Sequence, residues 1–172
     1  MDAATLLADL AAGRVGTADV VDDLGEDARS CDVQLRSYGG REAFGGPVRT
    51  VKVYEDNALV KSTLSTDGGG AVLVVDGGHS LHSALVGDVI AALAVEHGWA
   101  GVVAFGAIRD VKAMATLDLG VVALGSNPRK SSKTGAGQSD VPVHAGGVTF
   151  TTDDHVLVDA DGVLVVATDV LA

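Results

Sequence analysis

Three apolar runs of strand length, each followed by glycine, constrain the fold of this chain more than any other feature. They read AVLVVDGG from Ala71, AGVVAFG from Ala100 and VVALG from Val121. Their apolar residues are continuous rather than alternating, which is typical of strands that are covered on both faces. Helical patterns lie between them in GDVIAALAVEHGW and DVKAMATLDLG, and the second helix is predicted to end at Gly120. The centre of the chain is therefore predicted to be a βαβαβ unit.

Weaker patterns flank this unit. Two short helices are predicted at the N-terminus, over residues 1–12 and within TADVVDDLG, where Thr17 is the expected N-cap and Gly25 the stop. A strand is predicted over residues 48–54, followed by a helix in NALVKSTLS, and residues 142–167 read as strand, strand, turn and strand. We therefore predict an α/β protein with a mixed sheet, forming a single domain over all 172 residues.

Composition argues against several classes of function. Hydrophobic residues make up 47% of the chain but aromatic residues only 3%, so Val, Ala and Leu must build the core. A net charge of −11 argues against direct contact with nucleic acid, which requires a basic surface, and also disfavours anionic membranes. No apolar run reaches the roughly 18 residues of a membrane span, no secretion signal is evident, and the lone Cys31 cannot form an intramolecular disulfide. A soluble cytoplasmic protein is expected.

The candidate site lies in the segment GDVIAALAVEHGWAGVVAFGAIRD, which runs from Gly87 to Asp110. The first amides of its helix have no intrahelical partners, and the helix dipole adds positive potential, so a carboxylate can bind there. These amides belong to Gly87, Asp88, Val89 and Ile90. The strand after the helix should return parallel to the strand that ends at Asp76, and ligands collect at such carboxyl ends. Both ends of the segment are therefore expected to converge on one crevice.

Arg109 and Asp110 close the segment with two complementary chemical groups. An arginine supplies a planar two-pronged donor for the carboxylate of a keto-acid, and a neighbouring aspartate offers hard oxygen to a divalent metal. Such a metal would polarise a 2-keto oxygen and stabilise an enolate. The residues alone leave a second interpretation open, in which Asp88 only caps a helix and the Arg-Asp pair is solvated.

The pattern of Gly-Asp, twenty intervening residues and Arg-Asp resembles the motif of class II pyruvate aldolases of the 4-hydroxy-4-methyl-2-oxoglutarate aldolase family. That family overlaps the RraA-like group, named for the regulator of ribonuclease E activity A. The segments GGREAFGGPVRTVKVYEDNALV, VLVVDGGHSLHSALVGD, NPRKSSKTGAG and GGVTF are also similar to that group. The resemblance covers about residues 17–167 and leaves an extra N-terminal helix, residues 1–16, outside it.

The resemblance implies a fold, an assembly and a reaction. The fold is a three-layer β/β/α sandwich of the swivelling-domain type with a mixed sheet, and the assembly is a homotrimer with sites at the subunit interfaces. The reaction is the cleavage of 4-hydroxy-4-methyl-2-oxoglutarate-type oxoacids to pyruvate by a divalent-metal-dependent lyase, through a metal-stabilised enolate. Oxaloacetate decarboxylation passes through the same enolate and is implied as a second activity.

The resemblance also assigns roles to the matching residues of this chain. The amides of residues 87–90 hold the carboxylate of the pyruvyl group, and Arg109 binds the carboxylate and keto oxygens of the substrate and steadies the enolate. Asp110 ligates a divalent ion, Mg²⁺ or Mn²⁺, with waters in its shell. Asp88 orients a water and takes part in proton transfer. The implied ligand is a small oxoacid.

A regulatory role is the alternative. Some members of the group inhibit ribonuclease E by binding protein partners, and these lack the complete Gly-Asp and Arg-Asp set that this chain keeps. The chain would then dock on ribonuclease E or an associated helicase through its acidic surface. Other members have been labelled menaquinone-pathway methyltransferases. This sequence has no glycine-rich loop with a suitably placed acid of the S-adenosylmethionine type, so methyl transfer is not predicted.

Three further features have simpler interpretations. His79 and His82 lie three residues apart, but without a third N or S ligand they are predicted to be polar loop residues near the mouth of the site. The segment NPRKSSKTGAGQSD, residues 127–140, is predicted to be a mobile basic surface loop, with attraction of a substrate's distal carboxylate as the alternative. Trp99 and Phe105 are predicted core residues.

Overall fold

A computed structural model describes residues 1–172 and contains five α-helices and twelve strands. The helices are α1 (Ala3–Ala11), α2 (Thr17–Leu24), α3 (Ala58–Leu64), α4 (Asp88–Glu96) and α5 (Val111–Met114). The strands are β1 (Ala28–Ser30), β2 (Arg36–Ser37), β3 (Phe44–Lys52), β4 (Val72–Asp76), β5 (Ala84–Val86), β6 (Gly101–Ile108), β7 (Gly120–Ser126), β8 (Gln138–Ser139), β9 (Val143–Ala145), β10 (Val148–Phe150), β11 (Asp154–Asp159) and β12 (Gly162–Ala167).

Ten of the twelve strands form one mixed sheet, and its two halves differ in direction. The order is β1-β12-β11-β3-β4-β6-β7-β2, with β5 paired to β6 and β8 paired to β3. Strands β3, β4, β6 and β7 are parallel neighbours, whereas β1, β12 and β11 are antiparallel. The predicted βαβαβ unit is therefore present as β4-α4-β6-α5-β7.

Strand β3 belongs to both halves of the sheet. Residues 44–47 pair antiparallel with β11, and residues 48–52 pair parallel with β4. The sequence predicts this strand only over residues 48–54, because the glycines before Val48 hide its first half. Those glycines suit a crowded junction, since a Cβ at Gly46 would collide with the carbonyl oxygen of Gly70.

Both faces of the parallel strands are buried, which explains why their sequences are continuously apolar. One face packs under α3, α4 and α5, where Leu73 and Val102 belong to the largest core cluster. The other face packs on the antiparallel half, where Val74 and Phe105 belong to a second cluster. Phe105 meets Phe150 there, with ring centroids 5.6 Å apart. These are the three layers of a β/β/α sandwich with a mixed sheet, as predicted.

Helices α1 and α2 add an outer layer to the antiparallel half. Leu6 and Leu10 of α1 share a third core cluster with residues of β11 and β12. The predicted N-cap of α2 is wrong by one residue, because Gly16 occupies the cap and Thr17 is the first helical residue. Thr17 donates its N–H and its hydroxyl to the Asp159 carboxylate, both at 2.7 Å. The side chain that fixes this helix start therefore comes from the last residue of β11.

The prediction of a helix throughout DVKAMATLDLG is wrong beyond its first turn. Only Val111–Met114 is helical, and Gly120 begins β7 instead of ending a helix. The carbonyl of Leu117 accepts the amide N–H of Gly40 at 3.0 Å, and the next residues pair with the segment before β3. This long-range pairing holds the end of the segment in a non-helical conformation.

Trp99 and Phe105 are buried core residues, as predicted. Trp99 lies against Gly68 and donates its indole N–H to the Thr66 carbonyl at 2.9 Å, so its polar atom is satisfied. Cys31 is a buried free thiol. None of the helices has the length and apolar character that crossing a membrane requires.

Candidate functional site

Strand β5 brings the two ends of the candidate segment together. It is three residues long and pairs parallel with the end of β6, with Val86 opposite Ile108. The chain then enters α4 through Gly87, while β6 continues into Arg109, whose N–H donates to the Val86 carbonyl at 3.0 Å. The Gly-Asp and Arg-Asp pairs therefore lie side by side. The sequence did not reveal this pairing, because three residues are too few for a strand pattern.

A cavity of about 190 Å³ opens where these pairs meet. It is lined by all six residues predicted for the site, namely Gly87, Asp88, Val89, Ile90, Arg109 and Asp110. Five further residues complete the lining: Asn57, Lys61, Ala84, Lys130 and Lys133. The sequence indicated only the segment of the last two, and only as an alternative. The predicted order of elements could have indicated Asn57 and Lys61, because α3 follows the carboxyl end of β3 and begins at the same edge of the parallel sheet.

A larger groove lies elsewhere, between α1 and the start of β3. Its volume is about 780 Å³, and it is open. Its arginine, Arg41, donates two hydrogen bonds to the Asp118 carboxylate, at 2.6 and 3.1 Å. Because that guanidinium is already paired, the smaller cavity is the better candidate for binding a charged ligand.

Gly87 is needed for space rather than for backbone conformation. Its φ of −121° is accessible to any residue. A Cβ at this position, however, would lie 2.7 Å from Asp110 Oδ2 and 3.4 Å from Arg109 Nε. The glycine therefore lets the Arg-Asp pair approach the start of α4.

Two of the four amides at the start of α4 are already engaged by carboxylates. The N–H of Asp88 donates to Asp110 Oδ2 at 3.2 Å, and the N–H of Val89 donates to Asp88 Oδ1 at 2.8 Å. The N–H groups of Gly87 and Ile90 have no hydrogen-bond partner within the chain. The expectation of four open amides therefore holds for two, because short acidic side chains compete for amides at a helix start.

Arg109 keeps most of its donor capacity. Its side chain is 39% exposed, and its Nε lies 3.8 Å from Asp110 Oδ2. Its Nη1 donates to the Pro128 carbonyl at 3.4 Å. Both contacts are long, since charge-assisted bonds between arginine and carboxylate usually span about 2.7–2.9 Å. The guanidinium is therefore available to an anion that enters the cavity.

Asp110 holds an unusual backbone conformation beside Arg109. Its φ is +57°, in the left-handed region, and it forms the N-cap of α5. Aspartate is one of the few residues other than glycine that tolerates this region, and such strain concentrates at functional sites. Its Oδ2 accepts the Asp88 N–H, whereas Oδ1 accepts no hydrogen bond. The carboxylate is thus fixed at the cavity with one oxygen free.

The charge of the cavity lining is opposite to that of the whole protein. Four cations, Lys61, Arg109, Lys130 and Lys133, face two carboxylates, those of Asp88 and Asp110. All five ion pairs of the chain use arginine, so none of the three lysines is paired. In a chain of net charge −11, this local cationic excess favours an anionic ligand.

The basic segment 127–140 is largely exposed, as predicted for a surface loop, but hydrogen bonds, including those of its buried Ser131, tie it to the wall of the cavity. The Ala84 N–H donates to the Arg129 carbonyl at 2.8 Å, and the Ser131 hydroxyl donates to the Ala84 carbonyl at 2.7 Å. The Asp56 carboxylate accepts the N–H and the hydroxyl of Thr134, both at 2.6 Å. These bonds place two lysines of the segment in the lining of the cavity.

The carboxylates of Asp88 and Asp110 are suitable donors for Mg²⁺ or Mn²⁺. Each has one oxygen that accepts no hydrogen bond from the chain. Mg²⁺ commonly binds through one or two carboxylates while it keeps several waters, so this small donor set fits. His79 and His82 do not line the cavity, and His79 stacks on Phe105 with ring centroids 5.8 Å apart. No group of three or more His, Cys, Asp or Glu side chains is placed to hold a metal.

Three solved structures are similar to this chain over most of its length. One, from Geobacillus kaustophilus, is described as an S-adenosylmethionine:2-dimethylmenaquinone methyltransferase; it is 44% identical, with 91% of this chain and 98% of that chain covered and a TM-score of 0.89. The RNA-processing inhibitor RraA from Thermus thermophilus is 43% identical, with 88% and 92% covered and a TM-score of 0.85. Streptomyces coelicolor RraAS2, described as an unusual member of the RNase ES inhibitor RraA family, is 29% identical, with 96% and 85% covered and a TM-score of 0.75.

The names of these relatives differ in the activity they state, whereas their fold is common to all. A family model described as RraA-like, Aldolase/RraA, matches residues 17–165. The matched range begins where the resemblance in the sequence begins and leaves the first 16 residues outside, as predicted. The chain therefore belongs to the RraA-like, Aldolase/RraA family.

Proposed function

We propose that this protein is a divalent-metal-dependent carbon–carbon lyase. It cleaves 4-hydroxy-4-methyl-2-oxoglutarate-type oxoacids to pyruvate and decarboxylates oxaloacetate. The observation that carries the proposal is the meeting of Arg109 with the start of α4 at one cation-lined cavity, in a protein whose net charge is −11. An anionic substrate is otherwise repelled by such a protein, so a local seat for negative charge favours recognition of a small acid.

The start of α4 and Arg109 bind the keto-acid end of the substrate. The N–H groups of Gly87 and Ile90 have no partner in the chain, and the contacts of Arg109 are long and weak. These donors are therefore available to a carboxylate and a keto oxygen. The substrate carboxylate also competes with Asp110 for the N–H of Asp88, because both are anions. Binding therefore replaces one internal contact in addition to using the open donors.

Arg109 and Asp88 carry the two charge-dependent parts of the reaction. The bond between C3 and C4 of the oxoacid breaks, and its electron pair remains on the pyruvyl fragment as an enolate, which a proton at C3 converts to pyruvate. Arg109 stabilises the negative charge on the enolate oxygen, an effect that is often the largest in such reactions. Asp88 accepts the C4 hydroxyl proton through a water and returns a proton through the same route. Mg²⁺ or Mn²⁺, when bound by Asp110 with water in its shell, supplies Lewis acidity at the keto oxygen.

The test is release of pyruvate by the purified protein. The protein is assayed with 4-hydroxy-4-methyl-2-oxoglutarate and with oxaloacetate, in Mg²⁺ or Mn²⁺ and after treatment with a chelator. We expect release in the presence of the ion, loss with the chelator and recovery when the ion is restored. A protein that is inert with both substrates across the divalent ions contradicts the proposal.

Assembly as a homotrimer is part of the same proposal. Leu81, Val89 and Val111 are large apolar side chains that remain 49%, 64% and 42% exposed on the single chain. Val89 lines the cavity itself, so a neighbouring subunit that covers it would also enclose the site. Light scattering after size-exclusion chromatography should give three times the 17.2 kDa chain, about 52 kDa. A mass near that of one chain contradicts the trimer.

A regulatory function is the second candidate. It is supported by the 43% identity to a protein described as an RNA-processing inhibitor, and by the acidic net charge, which suits a basic segment of a protein partner. In this role the chain docks on ribonuclease E or on an associated helicase. A pull-down with salt titration tests it, and absence of a complex at low salt excludes this role.

A further inference from the structure

A buried carboxylate, that of Asp56, connects two separate walls of the cavity. Asp56 lies between β3 and α3 and is only 4% exposed. It accepts hydrogen bonds from the N–H and hydroxyl of Thr134, both at 2.6 Å, and from the N–H groups of Gly135 and Ala58, both at 3.2 Å. The Thr134 hydroxyl is the main cause that lowers the pKa of Asp56. The carboxylate is therefore charged, and both of its oxygens accept hydrogen bonds within the fold.

The backbone on both sides of Asp56 strengthens this connection. The N–H of Asn57 donates to the Ser132 carbonyl at 3.0 Å, and the N–H of Ser132 donates to the Glu55 carbonyl at 2.9 Å. Residues 55–57 thus hold residues 132–135 against the start of α3. Lys133 lies within residues 132–135, whereas Lys130 lies between Arg129 and Ser131, which form hydrogen bonds with Ala84.

The positions of Lys130 and Lys133 depend on these backbone anchors, because neither side chain forms an ion pair that would orient it. Both are exposed, neither forms an ion pair within the chain, and both line the cavity. A lysine side chain loses rotamer entropy when it is fixed, so a backbone that is already fixed reduces the binding free energy that ligand contacts must supply.

We propose that Asp56 is a positioning residue: through Thr134 it holds Lys133 in the cavity wall beside Lys130 and so sets affinity for a substrate with a second carboxylate. The inference rests on the proposed function, in which Arg109 and the start of α4 hold the keto-acid end. The lysines then recognise the distal carboxylate that distinguishes a dicarboxylic oxoacid from pyruvate. Asp56 itself touches no substrate.

The experiment measures binding to the full-length protein with two probes, 2-oxoglutarate with two carboxylates and pyruvate with one. We expect D56N to weaken 2-oxoglutarate binding about 10-fold and pyruvate binding less than about 2-fold, because a fold-change of this size corresponds to one lost charge contact. With oxaloacetate as substrate, the increase should fall on KM rather than on kcat. D67N is the matched control, since Asp67 is an exposed loop aspartate that accepts one backbone N–H, from Gly69 at 3.1 Å.

A second measurement follows the loop without any ligand. Trypsin should cleave after Lys133 faster in D56N than in the wild type or in D67N, because the residues that Asp56 no longer anchors are more accessible. T134V, which removes only the hydroxyl donor, should give a smaller change in the same direction, and T134S should restore wild-type behaviour. These two variants keep the test available if D56N does not fold.

The outcomes separate the inference from the proposed function. If D56N weakens both probes equally, or neither, or if the wild type binds neither probe, the positioning role is wrong. If 2-oxoglutarate binding depends on Asp56 while no oxoacid yields pyruvate, the positioning role stands and the lyase function fails.

Discussion

Two arginine–aspartate pairs in this molecule consist of the same residue types but differ in geometry and burial. Arg109 and Asp110 are neighbours in sequence, Arg109 Nε lies 3.8 Å from Asp110 Oδ2, and both side chains are 39% exposed. Arg29 and Asp154 lie 125 residues apart in sequence, their closest atoms are 2.6 Å apart, and the Asp154 side chain is 6% exposed. The first pair lines a cavity, whereas the second lies on the antiparallel half of the sheet.

The difference lies in whether the fold completes the set of partners. The Asp154 carboxylate accepts from Arg29 at one oxygen and from the N–H and hydroxyl of Thr151 at the other, so both oxygens are used. Asp110 leaves one oxygen without a partner, and Arg109 makes only long contacts. A saturated pair contributes stability, while an unsaturated pair on a strained backbone is available for a ligand. This contrast is a sharper sign of function than the dipeptide itself.

The largest expected effect follows from replacing Arg109. R109K should lower kcat/KM for pyruvate release by about 100- to 1,000-fold, because lysine cannot present two parallel donors to the developing oxyanion. Thermal stability should change little. R41K is the matched control, since Arg41 is 41% exposed and also paired with an aspartate, but lies outside the cavity. Equal activity of R109K and R41K removes the basis of the comparison.

The second effect concerns stability, where the Arg29–Asp154 pair should matter more than the Arg109–Asp110 pair. D154A should lower the free energy of unfolding by about 2–3 kcal/mol, less than the roughly 3–5 kcal/mol typical of a broken buried pair, because Arg29 is 38% exposed. D110N should lower it by less than about 1 kcal/mol, since a partly exposed pair contributes little and asparagine also tolerates the left-handed conformation of this residue. Chemical denaturation of both variants provides the measurement. Similar losses of unfolding free energy in the two variants mean that the number of hydrogen-bond partners does not determine how much each pair stabilises the fold.

The third effect tests the close approach at the start of α4. G87A should lower pyruvate release about 10-fold, because the new Cβ pushes the Asp110 carboxylate aside, while stability changes by less than about 1 kcal/mol. G16A is the control: Gly16 is also a helix N-cap in extended conformation, but a Cβ there meets its nearest atoms at 3.5 Å. If G87A is as active as G16A, the approach of the two segments does not matter for activity.

The smallest effect is a pH dependence of stability on the saturated side of the molecule. Burial lowers the pKa of His155 from its ordinary value of 6.5, and only the charge of Asp154 opposes this. Above pH 6.5 the ring is neutral in both states. As the pH falls below 6.5, the unfolded chain binds a proton that the folded chain does not, so the free energy of unfolding decreases until the folded pKa is passed.

Urea denaturation between pH 7.5 and 5 measures this slope, which cannot exceed about 1.4 kcal/mol per pH unit for one proton. H155Q should flatten the slope relative to the wild type. H144Q is the control, because His144 also shares a hydrogen bond with a threonine hydroxyl but is exposed. An unchanged slope in H155Q assigns the pH dependence to other groups.

The sequence predicted those parts of the molecule that depend on local pattern. Continuous apolar runs gave the parallel strands, and the spacing of the Gly-Asp and Arg-Asp pairs gave all six predicted residues that line the cavity. Both follow from periodicity and from the geometry of a βαβ unit, in which a helix start and the end of the next strand meet at one edge.

The remaining features depend on pairings between distant segments. Strand β5 is too short to show a pattern, α5 ends early because Leu117 pairs with Gly40, and Thr17 is fixed by Asp159 from the far end of the chain. The anchoring of the basic loop by Asp56 spans 78 residues. Polar side chains with distant partners leave no periodic trace, so only the folded structure reveals them.

The central claim is that the start of α4 and Arg109 form one seat for a small oxoacid. The most direct measurement is a titration of the ¹⁵N-labelled protein with pyruvate in the presence of Mg²⁺, followed by amide NMR. The account predicts saturable shifts of the Gly87 and Ile90 amides that disappear in R109A. Shifts confined to other parts of the chain, or shifts at these amides that persist unchanged in R109A, contradict it.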